Sequence, residues 1–303
     1  MGGTGQRQLL RRLYRAALSG VDPAAAVRRA LCLPAVGEAL AGARRIGVFA
    51  AGKAAARMLD GASSVSGERF AVVPRGGRRP RRGVRTLAAG HPEPDRSSVA
   101  AARKALAFFA RFGREDLVLC LVSGGASSLL CLPRPGLTLS AKRRAVDRLV
   151  ARGAAIGELN RLRTRLSAVK GGRLARATAA RIVTLVLSDV PGDRPALVGS
   201  GPTVRGRLRD LTLVVGWNAL GVKAAAGQAA ALGVSPRIAR RPLSGMARAA
   251  GAAFARKALD LPPGAALLSG GETTVAIGKR RGRAGRGKRG RRGGRCLEFA
   301  LGA

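Results

Sequence analysis

Leu117-Val118-Leu119-Cys120-Leu121-Val122-Ser123-Gly124-Gly125 is the stretch that decides the fold. An apolar run ends there in a loop of small residues, a pattern typical of a strand that turns into a helix. Two other segments have the same form, Ile46 to Lys53 (IGVFAAGK) and Ile182 to Asp189 (IVTLVLSD). Such loops bind phosphates, because the N–H groups and dipole of a helix N-terminus attract anions and glycine lets the backbone approach them. The sequence therefore predicts a set of phosphate-binding loops at strand ends.

Helical patterns alternate with the predicted strands. Strands are predicted over residues 46–50, 70–73, 85–89, 117–122, 182–187, 211–215 and 265–268. Helices are predicted over 9–18, 24–31 (capped by Asp22, with Pro23 at N1), 99–112 (capped by Ser97 or Ser98), from Ser140 with a break near Gly153, 219–232 and 244–259. Alternation of this kind indicates an α/β fold with a doubly wound, mainly parallel, Rossmann-like sheet. We expect this domain over residues 1–242 and an incomplete second α/β domain over 243–303.

The charge of the chain has two interpretations. Its 303 residues carry 56 Lys+Arg against 16 Asp+Glu, a formal net charge of +40. Such an excess is either an electrostatic footprint for nucleic acid or a membrane surface, or a compositional drift in which Arg, Ala, Gly and Pro accumulate together. The scatter of Arg over predicted helices and an aromatic content of 3% favour drift. The basic run Lys279 to Arg295 keeps a nucleic-acid-binding tail open as a rival, and we expect incidental polyanion binding there.

Cysteine and histidine usage excludes the commonest metal and disulfide frameworks. The four cysteines are far apart without CxxC spacing, and His91 is the single histidine, so neither a zinc site nor a disulfide scaffold is expected. The Arg-rich start lacks the apolar core of a signal peptide, and the uncharged stretch from Leu117 to Pro133 is broken by Ser and Gly. These features predict a soluble, cytoplasmic chain with reduced thiols and no membrane partner.

The order of the motifs resembles one family. The segments are AGKAAARM, GHPEPD, DLVLCLVSGGASSLL, LSAVKGGRLA, VTLVLSDVPGD, GSGPTV, LLSGGETTV and GGRCLEFAL. In this order they resemble the glycerate 2-kinase family, whose C-terminal half is named for a MOFRL motif and some of whose members carry the label hydroxypyruvate reductase. The resemblance implies transfer of a phosphoryl group from ATP to D-glycerate, giving 2-phosphoglycerate. No GxGxxG follows a predicted strand, so the residues give the reductase label no nucleotide fingerprint.

The chain departs from the family pattern at several places. Ala126 replaces a third glycine after Ser123-Gly124-Gly125, and Cys296-Leu297 replaces an Asn-Gln pair. The connection between Val204 and Leu211 is short, and the chain stops at Ala303, before the remaining strands that the resemblance implies. These departures predict a truncated member, and they leave a non-catalytic remnant open as an alternative.

Phosphoryl transfer needs cations on the transferring oxygens, carboxylate for a metal and an oriented acceptor hydroxyl. Few carboxylates are available, and Asp189 and Asp193 lie on a loop directly after a strand. We predict that Asp189 orients or deprotonates the glycerate hydroxyl or binds Mg²⁺, and that Asp193 binds Mg²⁺; turn and cap chemistry around Pro191-Gly192 is the alternative. Lys53 opens its helix after a strand and is predicted to reach a phosphate or the glycerate carboxylate.

The remaining candidates line glycine-rich loops. Ser123, Gly124, Gly125 and Ser127 are predicted to cradle a phosphate or carboxylate, although a tight strand-to-helix turn would need the same residues. Lys170 and Arg173 are predicted to add positive charge near the phosphates. The resemblance implies that Gly270, Gly271, Glu272 and the catalytic cation Arg295 contact nucleotide or substrate in a cleft between domains. The oligomeric state stays open.

Overall fold

The computed structural model describes residues 3–154, 156–275 and 294–303. Most of the basic run Lys279 to Arg295 therefore lies outside the described residues. The chain forms two compact units: Asp22–Trp217, here the sheet unit, and Met1–Val21 with Asn218–Ala303, here the terminal unit. The predicted boundary at 242/243 falls inside the terminal unit, and as a boundary between functional domains it stays a prediction. No helix in the described part is both long enough and apolar enough to cross a membrane.

The helices and strands are numbered in chain order. The helices are α1 (Gly3–Gly20), α2 (Pro23–Leu31), α3 (Pro34–Ala41), α4 (Ala55–Gly61), α5 (Arg96–Phe109), α6 (Ala126–Leu129), α7 (Leu139–Ala151), α8 (Ile156–Arg165), α9 (Asn218–Ala231), α10 (Ala247–Leu259) and α11 (Arg295–Gly302). The strands are β1 (Ile46–Ala51), β2 (Glu68–Pro74), β3 (Arg85–Ala89), β4 (Leu117–Ser123), β5 (Arg181–Leu187), β6 (Leu211–Gly216), β7 (Ser235–Ile238) and β8 (Ala265–Leu268).

The sheet unit confirms the predicted doubly wound parallel sheet. Its strand order is β3-β2-β1-β4-β5-β6, and every neighbouring pair is parallel. This is the Rossmann order, in which the chain direction reverses between β1 and β4. Because strands on the two sides of that point wind outward, a crevice opens at their carboxyl ends and is where such folds bind ligands. The loops after β1, β4 and β5 all emerge at this edge.

Two buried layers explain why these strands are apolar on both faces. Phe49, Phe70 and Val118 point into one layer together with apolar residues of α5. Val48 and Leu119, each adjacent in sequence to a residue of the first layer, point into the other, which α2, α3 and α4 cover. Burial on both faces is the reason that parallel strands lack the polar alternation of half-exposed strands.

Helix starts show where local prediction succeeds and fails. Asp22 caps α2 as predicted, because its Oδ1 accepts the Ala25 N–H at 2.8 Å. The predicted cap of α5 by Ser97 or Ser98 is wrong: Asp95 is the cap, and its carboxylate accepts both serine N–H groups. Asp95 lies just before the first turn of α5, so one oxygen of its carboxylate can accept both N–H groups. Ser97 and Ser98 lie inside that turn, where their hydroxyls cannot take this position.

The starts of two further helices, α7 and α10, differ by a few residues from the predicted ones. Thr138, not Ser140, caps α7 by accepting the Ala141 N–H at 3.1 Å. The break predicted near Gly153 is confirmed, since it separates α7 from α8. The helix predicted from Ser244 begins only at Ala247, because Leu243 and Met246 form parallel bridges with Gly271 and Thr274. The sequence also missed α3, β7 and α11.

The terminal unit has its own small sheet and helix pairs. β7 and β8 form a two-stranded parallel sheet, in which β7 lies before the predicted second domain of residues 243–303. α1 packs on α9 at small residues: a Cβ added to Gly20 would lie 2.5 Å from the Cβ of Ala224. Such close approach of two helices requires glycine at the crossing.

Candidate functional site

The loops after β1 and β4 are tied together at the switch point of the sheet. The Lys53 N–H donates to the Gly124 carbonyl at 2.8 Å, and the Ala54 N–H donates to Ser123 Oγ at 3.1 Å. Ser123 is buried, so its hydroxyl holds the two loops in register. This tie fixes the backbone from which Lys53 projects.

Lys53 and Asp189 form a loose ion pair at this edge. The Lys53 Nζ lies 3.9 Å from Asp189 Oδ2, with the two side chains 55% and 46% exposed. Parallel strands bring these loops together although 136 positions separate the residues in sequence (189 − 53). Because the pair is half-exposed and longer than a hydrogen bond, an anion or hydroxyl can reach both groups.

Two glycines make room for this pair. A Cβ added to Gly124 would overlap the Asp189 carboxylate, and its distance to Oδ1 would be 2.7 Å. Gly125 has a φ of +86°, in the left-handed region, and a Cβ there would lie 3.1 Å from Lys53 Cγ and 3.1 Å from His91 Cε1. A larger residue at either position would displace the side chains of Asp189, Lys53 or His91, so glycine is needed to hold these groups where they lie.

His91 joins the cluster, although no role is predicted for it from the sequence. Its Nδ1 lies 2.7 Å from Ser128 Oγ, which donates to the Gly125 carbonyl at 3.0 Å. Because the Ser128 hydroxyl donates its proton to the Gly125 carbonyl, it can only accept from the imidazole. Nδ1 of His91 is therefore the donor, and Nε2 is left as an acceptor. Burial, then the charge of Lys53, lowers the pKa of His91, while Asp189 opposes the shift. The imidazole is therefore neutral near pH 7. Its position after β3, one more strand that ends at this edge, was the available signal.

A second group lies beneath the Ser127 end of the loop. Lys170 is buried. Its Nζ donates to the Ser127 carbonyl at 2.6 Å and also contacts Ser127 Oγ. Ser127 Oγ lies 3.1 Å from Ser200 Oγ, and the Gly171 N–H donates to the Ser200 carbonyl at 2.9 Å. Burial, followed by the charge of Lys142, lowers the pKa of Lys170 to about 7. The structure thus brings Lys170 and Ser127 together, and their contact with a phosphate stays a prediction.

Arg173 is placed differently from the other predicted cations. Its guanidinium donates to the carbonyls of Thr164, Ser167 and Lys170 at 2.7, 3.1 and 3.1 Å. These bonds close the turn after α8. Burial lowers the pKa of Arg173, and its observed contacts are with backbone. A contact with phosphate stays a prediction for this residue.

The acidic residues offer few metal ligands. Within 3–154, 156–275 and 294–303, no three His, Cys, Asp or Glu residues come close enough to hold a metal ion. Asp193 follows Asp189 on the same loop and has a φ of 47°, and its N–H donates to the Val190 carbonyl at 3.2 Å. Mg²⁺ commonly binds one or two carboxylates and completes its shell with water and substrate phosphates. Binding of Mg²⁺ by Asp189 and Asp193 stays a prediction.

The terminal unit gathers the remaining candidates. Arg295 NH2 lies 2.6 Å from Glu272 Oε1, and the two side chains are about half-exposed. Gly271, at a φ of +142°, packs directly on the backbone of Leu243, whose N–H donates to the Gly270 carbonyl at 2.7 Å. The sequence-predicted residues of this unit therefore lie together, and their place in a cleft between domains stays a prediction.

The fold and these loops define an α/β protein with glycine-rich, charged loops at the switch point of a parallel sheet. Residues 9–215 match the family described as "Domain of unknown function (DUF4147)", and the chain belongs to this family.

Relatives with names support the resemblance to glycerate kinases. A "Putative hydroxypyruvate reductase" of Agrobacterium vitis is 36% identical over 320 residues, covering 90% of this chain and 72% of the relative. A "D-glycerate 2-kinase" of Thermotoga maritima is 41% identical over 164 residues, covering 52% of this chain and 39% of the relative. The crystal structure of a glycerate kinase from the same organism has a TM-score of 0.78 at 29% identity, covering 99% of this chain and 79% of that one. The predicted family resemblance is confirmed.

Proposed function

We propose that this chain is a glycerate kinase, which transfers the γ-phosphoryl group of Mg-ATP to D-glycerate and releases 2-phosphoglycerate. The observation that carries the proposal is the Lys53–Asp189 pair, 3.9 Å apart over Gly124 at the switch point of the sheet. Support comes from similarity to a relative and a solved structure that are named as glycerate kinases.

Lys53 and Asp189 take complementary roles. A hydroxyl in line with a phosphoryl group must be oriented and must lose a proton as the new bond forms. Asp189 accepts or orients that proton, while the Lys53 ammonium neutralises charge on the transferring oxygens or on the glycerate carboxylate. Neutral His91, with Nε2 free to accept, is a positioning residue for the same hydroxyl.

The glycine loop and the basic residues around it hold anionic oxygens. Gly124 and Gly125 let the backbone approach the ligand closely, Ser123 fixes their position, and Ser127 supplies a hydroxyl. Lys170 strengthens this end of the loop. Gly270, Gly271, Glu272 and Arg295 are assigned to nucleotide or substrate, because the Arg295–Glu272 pair keeps a half-exposed cation beside a glycine loop.

Mg²⁺ would be held by Asp189 and Asp193. When bound, it supplies charge stabilisation to the phosphate oxygens. Asp189 cannot serve fully as base and ligand at once, so its two predicted roles are alternatives.

The test is a ³¹P NMR time course with Mg-ATP and D-glycerate. We expect 2-phosphoglycerate to accumulate with the unaltered chain, and to form about 100- to 1,000-fold more slowly with Lys53→Met or Asp189→Asn. Lys104→Met, which removes the same charge from an exposed position on α5, is the matched control and should retain full activity. An ATP-only sample measures hydrolysis without transfer.

Three outcomes contradict the proposal. The folded chain forms no phosphoglycerate, or it forms 3-phosphoglycerate alone, or the Lys53 and Asp189 variants turn over like Lys104→Met. The first refutes the reaction, the second the acceptor hydroxyl, and the third the assigned residues.

The name of the Agrobacterium vitis relative makes hydroxypyruvate reduction a second candidate. It predicts oxidation of NADH or NADPH on addition of hydroxypyruvate, followed at 340 nm. We expect no such oxidation, because Lys53 and Asp189 suit an anionic phosphoryl group and the first strand-to-helix loop, Ala51-Gly52-Lys53, has no GxGxxG.

A further inference from the structure

Lys142 is a buried cation without a counter-charge. It lies on α7, its exposed fraction is 4%, and its Nζ has no hydrogen-bond partner among the described residues. Its neighbours on the helix, Arg143 and Arg144, are exposed. Lys142 is thus buried beside exposed positions of the same helix that also carry cations.

The groups around Lys142 are mainly cationic. Its ammonium is close enough to Lys170 to lower the pKa of that residue, and Arg163 of α8 acts on both lysines in the same direction. The Cys131 sulfur, itself buried, is the neighbour that favours the charged form. No carboxylate acts on either lysine, whereas buried Arg205 is paired with Asp210 at 2.6 Å.

The backbone around this cluster holds the lysines in place. The Ala168 N–H donates to the Leu132 carbonyl at 2.9 Å, and Pro133 bridges to Ser167, so the segment with Cys131 runs beside the segment with Lys170. The Lys170 ammonium is anchored on Ser127, which is partly exposed. Ser127 thus connects the buried lysines with the accessible loop of the candidate site.

A buried ammonium without a hydrogen-bond partner, such as that of Lys142, is strongly unfavourable, and the nearby ammonium of Lys170 adds repulsion because no carboxylate acts on either lysine. A protein keeps such groups where a ligand supplies the missing charge and acceptors. A tetrahedral oxyanion does both, since each of its oxygens accepts several N–H donors.

We propose that Lys142 and Lys170 form a phosphate-binding subsite beneath the Ser127 loop, with Lys142 a further binding residue of this chain. The ligand is a phosphate group, either of the donor nucleotide or of free inorganic phosphate. The assignment to the nucleotide rests on the proposed kinase function; the subsite itself does not.

The experiment measures inorganic phosphate binding by titration calorimetry at constant ionic strength, on the full chain. Lys142→Met keeps the length of the side chain and removes its charge, and Arg144→Met removes the same charge from the exposed face of the same helix. This control matters because a net charge of +40 attracts any anion. We expect phosphate to bind the unaltered chain and Arg144→Met equally, and Lys142→Met about 10- to 100-fold more weakly.

A second readout protects the test against a folding defect. Replacing a buried charge by Met tends to leave stability unchanged or higher, which circular dichroism and thermal unfolding will show for Lys142→Met. In the unaltered chain, phosphate should shift the ¹³Cε resonances of Lys142 and Lys170. Equal affinity in Lys142→Met and Arg144→Met, or unchanged lysine resonances at saturating phosphate, overturns the proposal.

ADP separates the two sources of the phosphate group. Competition between ADP and inorganic phosphate, lost in Lys142→Met, assigns the subsite to the nucleotide. Phosphate binding that depends on Lys142 but is unaffected by ADP assigns it to free phosphate. Because neither arm requires turnover, failure of the kinase assay and failure of the subsite are observed separately.

Discussion

Gly124→Ala tests whether the Asp189 carboxylate is the group on which activity depends. Gly124 has an ordinary φ, so alanine introduces no backbone strain there. The added carbon would overlap Oδ2 and Cγ of Asp189 and lie 2.7 Å from Oδ1, whereas ordinary contact begins at 3.4 Å. The carboxylate must therefore retreat by about 1 Å or more, and a misplacement of about 1 Å can cost 100-fold in rate.

The expected result is a fall in kcat/KM of about 100-fold with little loss of stability. The Asp189 side chain is 46% exposed and can rotate towards solvent, so the free energy of unfolding should change by less than about 1 kcal/mol. Kinetics are followed by coupled ADP release, and stability by urea unfolding. Gly37→Ala is the control, because nothing lies within 4 Å of its added Cβ on α3.

A double variant identifies the route of the effect. Asp189→Ala removes the three atoms that lie nearest to the new methyl group, so Gly124→Ala should cost little further activity in that background. Wild-type kcat/KM in Gly124→Ala would refute the reasoning outright. An undiminished loss in the double variant would show that the glycine acts through another group.

Three further predictions concern stability and pH. Asp95→Ala should lower the free energy of unfolding by about 1 kcal/mol at pH 7. The Ser97 hydroxyl above all holds the pKa of Asp95 at about 2, below its usual 3.8, so this stabilisation is lost as the pH falls through 2. Urea unfolding at several pH values measures the loss. Arg205→Met leaves Asp210 buried without its partner and should cost about 3–5 kcal/mol, most of which Asp210→Asn should restore in the double variant. Because burial lowers the pKa of Lys170 to about 7, its ammonium is present below that pH and lost above it. Sulfate, whose charge is constant, should therefore bind up to about tenfold more weakly per pH unit above 7 by calorimetry.

The sheet could be predicted because its signals are local. Each strand of the sheet unit is a short apolar run bounded by turn residues, and the carboxyl ends of parallel strands must meet at one edge. That rule alone places Lys53 near Gly124 and Asp189. β7 was missed because Pro236 interrupts a short strand, and α3 because a helix of eight residues gives little periodicity.

The inner parts of the site could not be predicted, since they depend on packing between distant segments. Lys142 sits in the sequence Ala-Lys-Arg-Arg, which indicates a solvated helix face, yet it is buried. Arg173 is predicted to lie near phosphate because of its charge, but its contacts with three backbone carbonyls gave no signal in the sequence. His91 has no role predicted from the sequence, and only the fold brings it to Ser128.

The choice of cation separates site from background in this basic chain. Arginine contributes most of the positive charge, as compositional drift would produce. In the sheet unit, however, Lys53 pairs with Asp189, Lys170 contacts Ser127, and Lys142 is the buried cation of α7. A guanidinium stays charged at any accessible pH, whereas a buried ammonium can release its proton when no anion is bound. Drift to arginine at positions 142 and 170 would force a larger, permanently charged group into a nearly closed space. Lysine at both positions suits a site that gains and loses an anion.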